Sequence, residues 1–229
     1  MATRQFGVST RLFRTRLARE HLLDIAAHGF DAVELVATRS HVDYHNPAAV
    51  AELQQWLGEA GLELPSVHVP LEEDAEAALF IARRLPVNVL VVRATTPRET
   101  AKAVEQLAAL AAPLRVTLAI DSTSMAPIGS LVHFVDAGVD AEVGICLDFA
   151  RAHADGDLVD TIEAVAEHVV IARLPIDSTI DWASAMTTAQ KIGYEGPLIF
   201  DAEPRGSTTE LLSRARNTRK TIQRWLTST

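Results

Sequence analysis

The sequence predicts a single (β/α)8 barrel, and three observations carry that expectation. Short runs rich in Val, Ile and Leu alternate with helical patterns along all 229 residues. The runs are nearly continuously apolar, as in parallel strands covered on their outer face by helices. No Gly-rich phosphate loop follows an early strand, which a doubly wound open sheet would usually carry.

Taken in order, the first strand is expected over Gln5–Ser9 and the first helix over Arg19–His28, where Leu22, Leu23 and Ala26 recur at helical spacing before Gly29. Asp31–Val36 is the second strand. The helix Pro47–Ala60 follows Asn46, a good N-cap, has Pro47 in its first turn, and stops at Gly61. Strand Glu63–Val69 and helix Glu73–Leu85 come next, then Asn88–Arg93 and Arg98–Ala112. Arg115–Asp121 precedes helix Ile128–Ala137, which ends at Gly138, and Val143–Asp148 precedes Leu158–His168. Val169–Leu174, helix Trp182–Ile192 with Gly193, strand Leu198–Asp201 and helix Thr209–Trp225 complete eight units. Gly29, Gly61, Gly138 and Gly193 suit the left-handed stop that ends a helix. With no linker and no low-complexity stretch, residues 1–229 are expected to form one domain.

Hydrophobic residues make up 48% and charged residues 22%, the balance of a globular domain with a large core. No stretch approaches the roughly 20 apolar residues of a membrane span. The first residues lack the apolar run of a signal peptide, and the lone Cys146 sits in an apolar strand pattern, where it reads as a buried inert thiol. A cytoplasmic location is therefore expected. A net charge of −9 repels phosphate backbones, so no nucleic-acid partner is expected. The run Arg214, Arg216, Arg219, Lys220 and Arg224 reads as a solvated helix face.

In such a barrel, catalytic groups gather at the C-terminal strand ends. Those ends carry Ser9, Glu34, His68, Arg93, Asp121, Asp148, Arg173 and Asp201. A single Asp there is commonly only a cap or turn former. Four carboxylates in one mouth, however, repel one another unless cations neutralise them. Either a divalent metal does so, Mg²⁺ or Mn²⁺ suiting hard oxygen ligands, or Arg93 and Arg173 form a salt-bridge cluster that needs none. His41, Tyr44 and His45, after the second strand, read as an exposed loop. Trp182 reads as a packing anchor, and Arg205 with Gly206 as a weak phosphate signal.

Thr179-Ile-Asp-Trp182, Ile192-Gly-Tyr-Glu-Gly-Pro-Leu198, Phe30-Asp-Ala-Val-Glu-Leu35, Ser66-Val-His-Val-Pro70 and Gly144-Ile-Cys-Leu-Asp148 with His153 and Gly156 together resemble the xylose-isomerase-like TIM barrel superfamily, in its sugar phosphate isomerase/epimerase branch. That resemblance covers nearly the whole chain. It implies one divalent cation held by a Glu, an Asp, a His and a second Glu from strands five to eight. At those positions this sequence has Asp121, Asp148, Arg173 and Asp201, with Arg151 and Ser122 replacing a further His and Asn. Glu203 is a substitute acid for the last strand. Each Glu→Asp change withdraws a carboxylate by about 1.5 Å, whereas ligand distances must hold within roughly 0.2 Å. Arg has no lone pair to offer a metal. The implied metal site, Asp121, Asp148 and Asp201, therefore looks degraded, and no cofactor is expected.

Two functions follow. One is an isomerase or epimerase of a small sugar or polyol derivative, with Asp121, Asp201 and His68 as acid/base groups and Glu34, Arg93, Arg173 and His153 binding substrate. Hydratase or dehydratase chemistry falls within it. The other is a non-catalytic binding or regulatory barrel that has lost its metal. Either has a small-molecule partner and is compatible with a homo-oligomer.

Overall fold

The structure, a computed structural model, describes residues 4–70, 74–93, 97–124, 128–136, 143–177 and 179–227. Eight parallel strands pair in chain order and close into a barrel. They are β1 Phe6–Ser9, β2 Ala32–Val36, β3 Glu63–Val69, β4 Val89–Val92, β5 Thr117–Asp121, β6 Val143–Asp148, β7 Val169–Pro175 and β8 Leu198–Asp201. The helices are α1 Arg19–Ala27, α2 Pro47–Ala60, α3 Ala75–Ala82, α4 Pro97–Ala111, α5 Ile128–Asp136, α6 Phe149–Asp155, α7 Leu158–Ala164, α8 Trp182–Lys191 and α9 Thr208–Thr227.

Side chains alternate across each strand with period two, so the chain builds two cores from the same strands. Leu35, Leu90, Leu118, Leu147, Leu174 and Phe200 pack outward against helices. Val89, Val91, Ala119, Cys146, Ile171 and Ile199 fill the lumen. Two residues further along, the same inward rows present Asp121, Asp148, Arg173 and Asp201. The lumen is thus plugged by apolar side chains below and lined by charge above.

The sequence reading locates every strand, and the differences at element ends have local causes. Arg115 adopts a left-handed φ of 57° after a 3-10 turn at Ala112–Leu114, so β5 starts at Thr117. The expected helix over Leu158–His168 stops at Ala164, and α3 spans only Ala75–Ala82. Helix α6 was not expected. Asp148 both ends β6 and caps α6, its carboxylate accepting from the Arg151 N–H at 2.9 Å. His153 therefore lies on a helix. His41 and Tyr44, expected in an exposed loop, are buried, whereas His45 is exposed. Gly29, Gly61 and Gly193 take positive φ, as their role at helix ends requires. Glu73, Ala137 and Gly138 lie outside the described residues. Trp182 stacks on Phe149 with ring centroids 6.5 Å apart, a packing role. Arg219 is not simply solvated: its guanidinium lies 5.3 Å from the Phe6 ring centroid and 3.7 Å from the Asp31 carboxylate.

At Gly7 a Cβ would lie 2.7 Å from Ile199 Cδ1 and 2.9 Å from the Ala32 carbonyl oxygen, so β1 approaches its neighbours too closely for a side chain. Gly58, exposed on α2, has nothing within 4 Å of that position. Gly7→Ala is expected to destabilise the fold by about 1–3 kcal/mol through overpacking. Gly58→Ala should stabilise it by about 0.5–1 kcal/mol through helix propensity. Urea melts of the two variants check the opposite signs.

Candidate active site

The strand register brings the polar strand ends to one mouth. Glu34 pairs with Ser66, Val36 with His68, Asp148 with Arg173 and Pro175 with Asp201. At its centre lies Arg173, buried and projecting from β7. Its Nε donates to Glu34 Oε1 at 2.9 Å, and its Nη1 donates to Asp121 Oδ2 at 2.8 Å. These bonds reach across the lumen to β2 and β5. Ser66 Oγ donates to Glu34 Oε2 at 3.2 Å. Thr123 donates to Asp121 Oδ1 twice, from its backbone N–H at 2.9 Å and its hydroxyl at 2.7 Å. The triad is dry: the exposure of its three side chains is 4% or less.

Around the triad, His68 Nε2 stands 3.8 Å from Asp121 Oδ2 and is buried without a hydrogen-bond partner among the described residues. Asp201 forms an ion pair with Arg11 at 3.2 Å. Arg11, in the 3-10 turn after β1, was missed by sequence reasoning, as were Ser66 and Thr123. Ser66 precedes His68 by two residues on one face of β3, a period-two signal that could have found it. Arg11 follows the strand end Ser9 closely but carries no motif. Arg93 lies one residue past β4 and is exposed. His153 is also exposed on α6, its Nε2 3.0 Å from Thr179 Oγ1, away from the triad's bonds.

Burial and charge set the protonation states. Burial pushes the Glu34 carboxyl up, against the pull of Arg173. Burial also works to raise Asp121, but Arg173 above all, with His68 and Thr123, holds it below its ordinary value. His68 is kept well below the usual imidazole range by burial and then by Arg173, so it is neutral at pH 7. Burial, with help from Asp121 and Asp201, raises Asp148. Burial alone would lower Arg173, but the surrounding acids lift it well above its ordinary value. Burial raises the Cys146 thiol beneath the mouth and keeps it protonated.

A family profile described as xylose isomerase-like TIM barrel matches residues 22–229. The chain belongs to that family. No curated protein sequence matches it significantly. Among solved structures, it is similar to a D-psicose 3-epimerase with D-tagatose from Clostridium cellulolyticum, at 15% identity and TM-score 0.77, covering 97% of this chain and 99% of that one. A sugar phosphate isomerase/epimerase from Parabacteroides distasonis aligns at 15% identity and TM-score 0.75, over 95% and 93% of the two chains. A xylose isomerase-like TIM barrel protein from Mycobacterium smegmatis, in complex with magnesium, aligns at 15% identity and TM-score 0.78, over 99% and 97%. At these identities the likeness is one of fold.

At the implied metal position Arg173 offers a cation no lone pair. Two carboxylates that face one another across the lumen, Glu34 and Asp121, are already bridged by a guanidinium. Among the described residues no three His, Cys, Asp or Glu side chains converge as a metal would require.

Two outcomes follow. Arg173→Met leaves Glu34 and Asp121 buried without their cation and should cost about 3–5 kcal/mol of stability; a thermal melt that matches wild type would reject the triad. Calorimetric titration of the wild-type protein with Mn²⁺ should show no tight saturable binding. Tight binding that Asp148→Ala abolishes would overturn the charge assignment.

Proposed function

We propose that the barrel is a metal-independent isomerase or epimerase of a small sugar or polyol derivative, acting by proton transfer at the mouth. One observation carries the reading. Among the described residues, two buried nitrogens at the mouth have no hydrogen-bond partner, His68 Nε2 and Arg173 Nη2. Unmade hydrogen bonds are expensive at buried atoms, and the oxygens of a polyhydroxy ligand can accept from these nitrogens. The family membership supports the substrate class, and the similar structures include sugar epimerases.

Within this reading the acid/base work falls to Asp148 and Asp201, on β6 and β8. A carboxyl raised by burial, like Asp148, sits nearer the pH at which a proton can be both taken and returned. Asp121 is held below its ordinary value by its bonds, which suits it to fixing Arg173 rather than to moving protons. Arg173 Nη2 and the neutral His68 ring face a carbonyl oxygen and support the charge it gains as the adjacent carbon loses its proton. One carboxylate takes that proton and the other delivers one to complete the epimerisation or isomerisation.

A second reading, a non-catalytic sugar-binding barrel, draws on one feature. Arg173 is shared by two carboxylates, so the triad carries net negative charge, the wrong sign for a developing enolate. Solvent exchange separates the two. With ketoses in D2O and excess chelator, NMR should show deuterium entering the carbon beside the carbonyl. Asp148→Asn and Asp201→Asn should each slow it by about 100-fold or more. Sugar binding without any exchange would reject the enzyme and leave the binding protein.

A further inference from the structure

Away from the triad, one buried histidine joins two of the loops that rim the mouth. The loop after β2 turns tightly, the N–H groups of His41 and Val42 both donating to the Thr38 carbonyl, at 2.9 and 2.8 Å. That turn buries the His41 ring against residues 13–17, the loop after β1. The two loops are tied twice. His41 Nδ1 stands 2.9 Å from the Thr15 carbonyl oxygen, and the Leu17 N–H donates to the His41 carbonyl at 2.9 Å. A carbonyl only accepts, so Nδ1 carries the proton and Nε2 of the neutral ring is a bare lone pair. Nε2 is buried and has no hydrogen-bond partner among the described residues. The loop after β1 also reaches the loop after β8. Arg14 Nε donates to the Pro204 carbonyl at 2.7 Å, and Arg11 pairs with Asp201 at 3.2 Å.

We infer that His41 is a pH-operated latch between the loops after β1 and β2, closed while its ring is neutral and opened when the ring takes a proton. A second proton turns Nε2 into a charged donor with nothing to bond. A buried charge without a partner is costly, so the protonated ring must swing out to water, and the Thr15 bond goes with it. Arg14 and Arg16 on the first loop and Arg39 on the ring's own loop are exposed, and Asp43 is half-buried. His21 on α1 is the group whose charge bears on the ring, and it opposes a second positive charge. Burial first, and His21 after it, hold the ring below its ordinary value against the pull of the Thr15 bond. The closed state is therefore favoured above the ordinary imidazole value of about 6.5 and is lost as the pH falls below it. The latch goes beyond the proposed chemistry and needs no ligand at the mouth.

The test is amide hydrogen exchange of the ¹⁵N-labelled protein, read by NMR as the protection factor of Leu17, whose N–H is one of the two ties. Between about pH 7.5 and 5.5, across the range where an ordinary histidine titrates, that protection should fall about fivefold or more. His41→Asn keeps a side-chain N–H for the Thr15 carbonyl but takes no proton, so its Leu17 protection should stay constant over the same range. In wild type the His41 ring signals should show a neutral ring with its proton on Nδ1 at about pH 6. Three results would each overturn the latch. One is Leu17 protection in wild type that does not change with pH. Another is a wild-type ring already charged at about pH 6 while Leu17 stays protected. The third is His41→Asn with the same pH dependence as wild type, which would assign the loosening to another group.

Discussion

Everything at the mouth depends on one buried guanidinium having two carboxylates to bond. Arg173 sits on β7, its partners on β2 and β5, so its bonds span the lumen rather than run along a strand pair. Taking these charges out of water is expensive, and well-packed apolar residues of similar volume often stabilise as much or more. A triad kept under that penalty argues for a role in the site. The donors around it complete the accounting. Ser66 and Thr123 satisfy the oxygens that Arg173 leaves over, so each carboxylate is held at a fixed position and angle.

The triad then decides what its neighbours can do. Asp121 is bonded on both oxygens, which fixes its carboxylate in place. His68, beside a guanidinium that cannot lose its proton, stays neutral. Asp148 and Asp201 stand outside the triad, Asp201 paired with Arg11. Asp148 has a second duty as the cap of α6, which fixes one of its oxygens against the Arg151 N–H. That tie is itself useful, because a capped carboxylate keeps one rotamer and presents the other oxygen at a constant place.

Much of this was legible in the sequence, and the parts that were not share a cause. The strands announce themselves through β-branched runs, and period-two alternation alone puts Asp121, Asp148, Arg173 and Asp201 on inward rows. That Arg173 neutralises acids could be read as one of two options. Which acids it chooses could not, because the choice depends on lumen width and on register between strands far apart in the chain. The Arg11–Asp201 pair escaped for the same reason, its partners lying 190 positions apart. Helix α6 was missed because Asp148 reads equally as a strand end and as a cap, and here it is both. His41 and Tyr44 looked like exposed loop from their polarity, yet the loop folds back and buries them, His41 with its Nδ1 2.9 Å from the Thr15 carbonyl.

A guanidinium and a divalent cation are different instruments. A metal brings two charges and open coordination positions, and it can polarise an oxygen from any vacant direction. Arg173 brings one charge, spread over a plane, and spends two of its edges on Glu34 and Asp121. What remains for a ligand is the Nη2 edge, in a neighbourhood whose nearest charges sum to negative. That edge can donate a directed hydrogen bond to a ligand oxygen, while the surrounding negative charge opposes an anion there. In the proposed reaction His68 and the Nη2 edge position the ligand's oxygens, and Asp148 and Asp201 exchange protons with the carbons placed beside them. In that reaction the barrel relies on directed hydrogen bonds at the reacting oxygen, where a metal would supply charge.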